Sequence, residues 1–323
     1  MKLQSKKKSI WSSFKNAYLK NHNLKLFWKN LDKKKISSEF CKIMNIYINS
    51  ESYSWSSRFW RRLVINHLKI ITLQNIEISE GFIEKEYFTF TYFNESIIKD
   101  ACAAIENNTI NLNVNLFKKQ KNFSYEESLN HNIILYLLYE NIKNRPVFKN
   151  FQKILERKKN FNQERPSLLF NHQQITQDDL NSLYEYEKIE KMLKEISIKK
   201  NSFLEIGAGS GRTTATILSM IKDIKYVVAD IPPAVYYSYN NIKKLFPEKK
   251  VKLGFEYKDQ AELLEIYNKN DVIFIFPHQI EMLPDKIFDI SIAIDCLHEM
   301  EKKIVEKYVT KFERVSDLFY FKV

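Results

Sequence analysis

Residues 203–218 read F-L-E-I-G-A-G-S-G-R-T-T-A-T-I-L. A short apolar run leads into three alternate glycines, and a run with helical periodicity leads out. The 323-residue chain has only five glycines, and Gly207, Gly209 and Gly211 are three of them. Glycine adopts backbone angles that other residues avoid and carries no Cβ to block a close approach. A strand that passes through such a turn into a helix directs backbone N–H groups at whatever sits above it.

Outward from this window the pattern continues as α/β. S-F-L-E-I at 202–206 is a buried strand and Arg212–Lys222 a helix. K-Y-V-V-A-D at 225–230 is a second strand, followed by a helix over 233–246 with Pro233 suited to its first turn. D-V-I-F-I-F-P at 271–277 is a third strand and F-D-I-S-I-A-I-D at 288–295 a fourth. A helix over 301–315 precedes a fifth strand, L-F-Y-F-K-V, at 318–323. Such alternation predicts a Rossmann-like parallel sheet with helices on both faces.

The first half has a different character. To about residue 170 the chain is aromatic-rich and mainly α-helical in its periodicity. Ile10, Phe14 and Tyr18, then Leu24, Phe27 and Leu31, recur at helical spacing. Residues 52–68 and 125–139 read as further helices, whereas 78–93 alternates like a short hairpin. Residues 164–174, with Pro166, read as a connector. Thr176 and Asp179 form a capping-box pattern before an amphipathic helix carrying Leu180, Leu183, Ile189, Met192, Leu193 and Ile196. The expected division is therefore 1–170, helical with a basic arm, and 171–323, α/β.

Composition bounds the class. Hydrophobic residues make up 44% and aromatics 14%, which excludes a disordered chain. Cys41, Cys102 and Cys296 are far apart, so no pair has zinc or redox spacing, and a reduced, cytoplasmic protein is expected. No apolar run is long enough to span a bilayer, and no signal-peptide pattern opens the chain. The formal charge of +12 is concentrated: residues 1–40 hold eleven lysines against Asp32 and Glu39. A cationic, aromatic stretch of this kind suits an anionic membrane surface, here the inner face. An ordinary helix packed on the body, or RNA binding through phosphates, are its alternatives.

Two ligand classes use a strand–glycine–helix turn. The dinucleotide fingerprint G-x-G-x-x-G needs its third glycine at 212, where this chain has Arg212. Here the third glycine comes one residue early, and an acid, Glu205, stands before the first. This acid-x-G-x-G-x-G resembles the first motif of class I S-adenosylmethionine-dependent methyltransferases. Asp230, at the end of the second strand, suits a ribose because a carboxylate accepts two hydrogen bonds. Its alternative is a cap on the next helix. M-L-P-D-K-I-F-D-I-S-I-A-I-D is similar to the fourth-strand region of the same superfamily. The strings A-D-I-P-P-A-V-Y-Y-S-Y, I-D-C-L-H-E-M and F-Y-F-K-V are similar to the bacterial sugar O-methyltransferases over about residues 175–323.

The resemblance implies S-adenosylmethionine as cofactor, held by Glu205, Gly207, Ala208, Gly209, Gly211, Asp230 and Ile231, with Glu205 facing the cationic methionyl end. It implies a sugar or glycan acceptor shaped by the N-terminal half. It also leads one to expect an antiparallel pair of strands beyond the fifth, so that either the sequence is truncated there or that sheet edge is covered differently. D-I-P-P follows the second strand rather than the fourth, which disfavours N-methylation of nucleic acid.

Transfer to a hydroxyl needs a base. His298 is the first candidate, because imidazole titrates near neutrality. Glu299 can orient His298, act as base itself, or bind sugar hydroxyls, and Asp295 can act as base or bind sugar hydroxyls. Capping of the following helix is the alternative for Asp295, with Glu299 in the first turn. Metal ligation by Asp295, His298 and Glu299 is a further alternative, and no metal is expected. His278 lines the adenosine or acceptor side, or is a loop histidine. Tyr236, Tyr237 and Tyr239 are read as core packing ahead of ligand stacking. The other functional readings are an RNA O-methyltransferase gripping its substrate with the arm, and a non-catalytic methyltransferase-like binding protein.

Overall fold

The computed structural model describes residues 23–34, 36–73, 125–157, 167–170, 173–197, 201–257 and 259–322. The expectations for residues 1–22, for the hairpin at 78–93, and for Cys102, Pro166 and His172 lie outside the described residues.

Six helices come first: α1 (Leu24–Asn30), α2 (Ser38–Asn49), α3 (Glu51–Trp55), α4 (Arg58–Leu73), α5 (Tyr125–Ile142) and α6 (Pro146–Arg157). The single helix expected over 52–68 is two, broken at Ser56–Ser57. Serine hydroxyls bond backbone and so compete with helix. Ser56 Oγ donates to Tyr53 O at 2.8 Å, and Ser57 Oγ accepts from Trp60 N at 3.3 Å, starting α4 afresh. The described part of the basic arm packs on the body. Leu24 and Trp28 are buried, Lys25 lies over the Tyr53 ring and Lys33 over Trp28.

The expected connector contains an antiparallel hairpin, β1 (Ser167–Phe170) with β2 (Gln173–Thr176). The capping box is present: Thr176 Oγ1 accepts from Asp179 N at 3.2 Å, and Asp179 Oδ2 accepts from Thr176 N at 2.9 Å. It starts α7 (Gln177–Glu195), which buries Leu180, Leu183, Ile189 and Leu193 and leaves Ile196 exposed.

The α/β part contains β3 (Ser202–Ile206), α8 (Arg212–Met220), β4 (Lys225–Ala229), α9 (Ala234–Leu245), β5 (Val251–Leu253), α10 (Gln260–Lys269), β6 (Val272–Ile275), β7 (Phe288–Ile294), α11 (Lys302–Val315) and β8 (Ser316–Lys322). The sheet order is β5-β6-β4-β3-β7-β8, every pairing parallel. All five expected strands are present; β5 and α10 add to them. Alternate residues of each strand serve opposite faces. Phe203, Tyr226, Val228, Phe274 and Ile290 enter one apolar layer; Leu204, Ile206, Val227, Ile273 and Ala293 enter the other with Tyr308 and Phe312 of α11.

The first layer also contains Leu24, Phe40, Tyr47, Tyr139 and Phe151, so the helical half and the sheet share one core. Phe40 meets Tyr236 at 5.3 Å between ring centroids, and Tyr47 meets Phe276 at 5.8 Å. Among the described residues no strand lies beyond β8, where Phe321 is exposed. None of the described helices is long and apolar enough to cross a membrane.

The starts of β3 and β7 are clamped together. Asp289 Oδ2 accepts from Asn201 N at 2.8 Å, Ser202 N at 2.8 Å and Ser202 Oγ at 2.9 Å. Hydrogen bonds to a charged acceptor are worth about 1.5–3 kcal/mol each, and removing the acceptor strands their donors. Asp289→Ala is expected to lower unfolding free energy by about 2–3 kcal/mol in urea titration. Because Asp289 lies at the amino ends of the strands, ligand binding at the carboxyl ends should persist in the folded variant.

Candidate active site

The chain leaves β3 toward β4 on one side and returns through β7 on the other. Ligands of open α/β sheets bind where the strand order reverses, beyond the carboxyl ends of the strands. Here that place lies between the loop after β3 and the loop after β7. Gly207, Gly209 and Gly211 all take positive φ, +67°, +58° and +77°. Two of them answer different needs. A Cβ at Gly207 would stand 2.7 Å from Cys296 Cβ, so the two loops touch only because Gly207 has none. A Cβ at Gly209 would meet nothing within 4 Å, so its backbone faces open space. Gly211 caps α8.

Asp230 follows β4 and is buried. Its Oδ2 accepts from Gly209 N at 2.9 Å and its Oδ1 from Ile231 N at 2.7 Å. It does not cap α9, whose N-cap is Pro233 and has no side-chain bond. Burial pushes the Asp230 carboxyl up to about 7, against the two backbone N–H groups that favour its ionised form. Glu205 is buried too. Its Oε2 accepts from the hydroxyls of Thr214 on α8 and Tyr226 on β4, and burial raises its pKa. These partners, rather than an open cavity, occupy the oxygen expected to face a cation. Ala208 is buried and Ile231 is packed against the first core layer.

The loop after β7 begins with Asp295 in a left-handed conformation, φ +53°. Asp295 does not cap the turn at Leu297–Glu299, which starts at Cys296 without a side-chain bond. Its carboxylate joins an ionic cluster. Oδ2 lies 3.1 Å from an Arg212 guanidinium nitrogen and 3.2 Å from Lys322 Nζ. Glu185 of α7 accepts from Arg212 at 2.9 Å and from Lys322 at 3.0 Å, and Ser182 Oγ accepts from Arg212 at 2.9 Å. Against the effect of burial, Glu185, then Asp178 and then Asp295 raise the guanidinium's affinity for its proton. The cluster ties α7, α8, β7 and β8 together. Asp295 thus stands among cations, with its direct bonds to Arg212 and Lys322, and acts on Glu299 only through its charge. Among the described residues no group of three His, Cys, Asp or Glu is arranged to hold a metal ion.

Glu299 and His298 follow. His298 is about half exposed, with Nε2 4.0 Å from Glu299 Oε1. Glu299 is largely covered, and its carboxyl is pushed up to about 7, first by burial and then by Asp230 and Asp295. The Trp60 indole N–H, from α4 of the helical half, is the polar group that opposes that rise. Phe59 packs edge-on to Trp60 at 5.7 Å, and both rings are partly exposed.

His278 also meets the helical half. Ser52 Oγ accepts from His278 N at 3.0 Å and lies 2.8 Å from His278 Nδ1. The hydroxyl can both accept and donate, so this one side chain holds the His278 backbone and its ring together. Burial lowers the His278 pKa. Tyr236, Tyr237 and Tyr239 are buried in the core. Sequence reading missed Trp60, Ser52, Glu185 and Lys322 as neighbours of the site. A lysine ending an apolar strand, and Arg212 where a dinucleotide loop has glycine, were the available signals for part of this set.

No protein-family model matches the chain, and no curated protein matches it. Among solved structures it is similar to the mitomycin 7-O-methyltransferase MmcR, at 12% identity and TM-score 0.26, over 45% of this chain and 39% of that one. It is similar to the pyocyanin biosynthetic protein PhzM, at 12% identity and TM-score 0.25, over 76% and 59%. A third is coclaurine N-methyltransferase bound to N-methylheliamine and SAH, at 14% and 0.28, over 79% and 63%. The matched segments span less than two thirds of each of those chains. The fold stands on the strand order and register above and takes nothing from likenesses this slight.

Two outcomes follow from the geometry. Gly209→Ala should cost only its backbone strain, about 1–2 kcal/mol, whereas Gly207→Ala adds the Cys296 contact and should cost clearly more in chemical denaturation. Asp230 titrates near 7 folded and near 4 unfolded, so its contribution to stability is present below about pH 4 and is lost as pH rises toward 7. Asp230→Asn lacks that loss. Its stability relative to wild type should therefore rise between pH 5 and 7.5, by up to about 1.4 kcal/mol per pH unit. A constant difference across that range would show that Asp230 is not perturbed.

Proposed function

We propose that the chain is an S-adenosylmethionine-dependent O-methyltransferase acting on a sugar or glycan hydroxyl. The carrying observation is the crevice at the strand-order reversal, where open backbone at Gly209 lies beside the Asp230 carboxylate. The residues present fit that cofactor. The glycine turn leaves room for a nucleoside, Asp230 can accept from two ribose hydroxyls, and the carboxylates of Asp230 and Glu299 favour a positively charged ligand.

S-adenosylmethionine, when bound, supplies a methyl group already activated by a sulfonium sulfur. What this chain adds is position and a proton acceptor. Glu299 is the best-supported base. It is covered, titrates near neutrality, and has the Trp60 indole N–H as a polar neighbour. It takes the proton that the acceptor hydroxyl loses as its oxygen is alkylated. Half-exposed His298 lines the entrance and can hydrogen-bond acceptor hydroxyls. Partly exposed Phe59 and Trp60 offer apolar ring surface beside a carboxylate, the pairing that suits the C–H face and hydroxyls of a sugar. For residues 1–22 we retain contact with an anionic membrane surface as part of the proposal. Salt-dependent binding to anionic vesicles, compared with RNA, tests it.

By calorimetry, wild type should bind S-adenosylmethionine, and Asp230→Ala should weaken binding at least about tenfold, the loss of one charge-assisted contact. The ionised carboxylates attract the cation, so affinity should fall as pH drops from 8 to 6, and binding at pH 7 should release protons. With labelled cofactor and a glycan panel, Glu299→Gln should lower transfer by about 10²–10⁴, the usual contribution of a general base. His298→Ala should lower it less. Full transfer by Glu299→Gln would remove Glu299 from the mechanism.

A further inference from the structure

The described carboxylates around the crevice outnumber its cations. Asp230 and Glu299 stand on the crevice as carboxyls that a cation would hold ionised, and Arg212 and Lys322 stand together in an ionic cluster. A ligand with a positive centre is well served by the first set. A ligand that also carries a carboxylate needs the second.

The cluster is built asymmetrically. Glu185 is buried on a rigid helix, with 5% of its side chain exposed, and it touches both cations. Asp295 is 33% exposed, sits on a loop with left-handed backbone, and touches the same two cations through one oxygen. Asp178, buried on the same helix as Glu185, also acts on Arg212, so the fixed carboxylates of the cluster lie on α7 and Asp295 is its one loop-borne acid. A ligand carboxylate in the place of Asp295 Oδ2 would keep both cations paired. Arg212 directly follows the glycine turn, so the exchangeable place adjoins the open backbone at Gly209.

We propose that Arg212 and Lys322 are the receptor for a ligand's carboxylate, and that Asp295 occupies that place until the ligand arrives. The inference rests on the cofactor reading above, and the carboxylate is then that of the amino-acid end of the methyl donor. Glu185 is the fixed anchor that holds both cations in position. Asp295 is a positioning residue. It lies at the start of the loop that carries Glu299, so its release changes the surroundings of the base when the cofactor binds.

The test uses the full chain and two probes, S-adenosylmethionine and its decarboxylated form, which keeps the sulfonium and nucleoside but lacks the carboxylate. Calorimetry gives the ratio of their affinities. Wild type should prefer the carboxylate-bearing probe by at least tenfold. Arg212→Met should remove most of that preference, and Lys322→Met should reduce it while preserving the fold, because Lys322 is a half-exposed strand end. Asp295→Asn should increase it, since the internal competitor is weakened. A ratio that stays at the wild-type value in Lys322→Met and Asp295→Asn overturns the proposal, whether or not Arg212→Met folds. Equal affinity of wild type for both probes also overturns it and leaves the cofactor reading intact. Failure of wild type to bind either probe overturns both.

Discussion

The site depends on one close approach. The loop after β3 and the loop after β7 meet where Gly207 faces Cys296, at a separation that no side chain permits. Cys296 completes the contact by directing its thiol at Ile206 O, 3.3 Å away. These loops diverge to opposite sides of the sheet, so their contact closes the base of the crevice. It also sets the height of both ends of the site. Asp230 and Gly209 stand on one side, Asp295 and Glu299 on the other. A glycine at 207 is therefore a packing requirement, while the glycine at 209 is an opening. The same residue type does two physical jobs two positions apart.

The strands were legible because each is a short apolar run, and because parallel strands covered on both faces need no polar alternation. The capping box was legible because it is local, joining residues three apart. What stayed hidden was long-range or brief. β5 is three residues at the sheet edge, with half-exposed valine and leucine around an exposed lysine, too short to carry a period. The Ser56–Ser57 break required knowing which hydroxyls bond backbone. The ionic cluster joins residues as far apart as 185 and 322, a pairing that no spacing rule contains. Asp295, His298 and Glu299 are close in sequence, and nothing in that spacing announces that the first, with left-handed backbone, bonds Arg212 and Lys322.

The helical half is part of the site rather than an attachment to it. Ser52 holds His278 through two hydrogen bonds, Trp60 reaches Glu299, and Phe40 and Tyr47 pack on the elements that follow β4 and β6. Two of these contacts come from α3 and α4, on either side of the serine break. The break thus separates the two helices that present these side chains to the crevice.

On the proposed function, the crevice carboxylates would serve two demands that pull in opposite directions. A base must hold its proton weakly enough to be free at neutral pH and strongly enough to take one, and burial of Glu299 puts it at about 7. A cation receptor must be ionised. A positive ligand lowers the pKa of every carboxylate near it, so loading the crevice would by itself make Glu299 a poorer base. Each pK unit lost is about 1.4 kcal/mol of proton affinity. Asp230 and Asp295 work against that loss, since both raise Glu299, and Trp60 works with it. The base is therefore tuned by a balance among groups from three parts of the chain. Its proton affinity reports on whether the helical half, the β4 end and the ionic cluster are all in place.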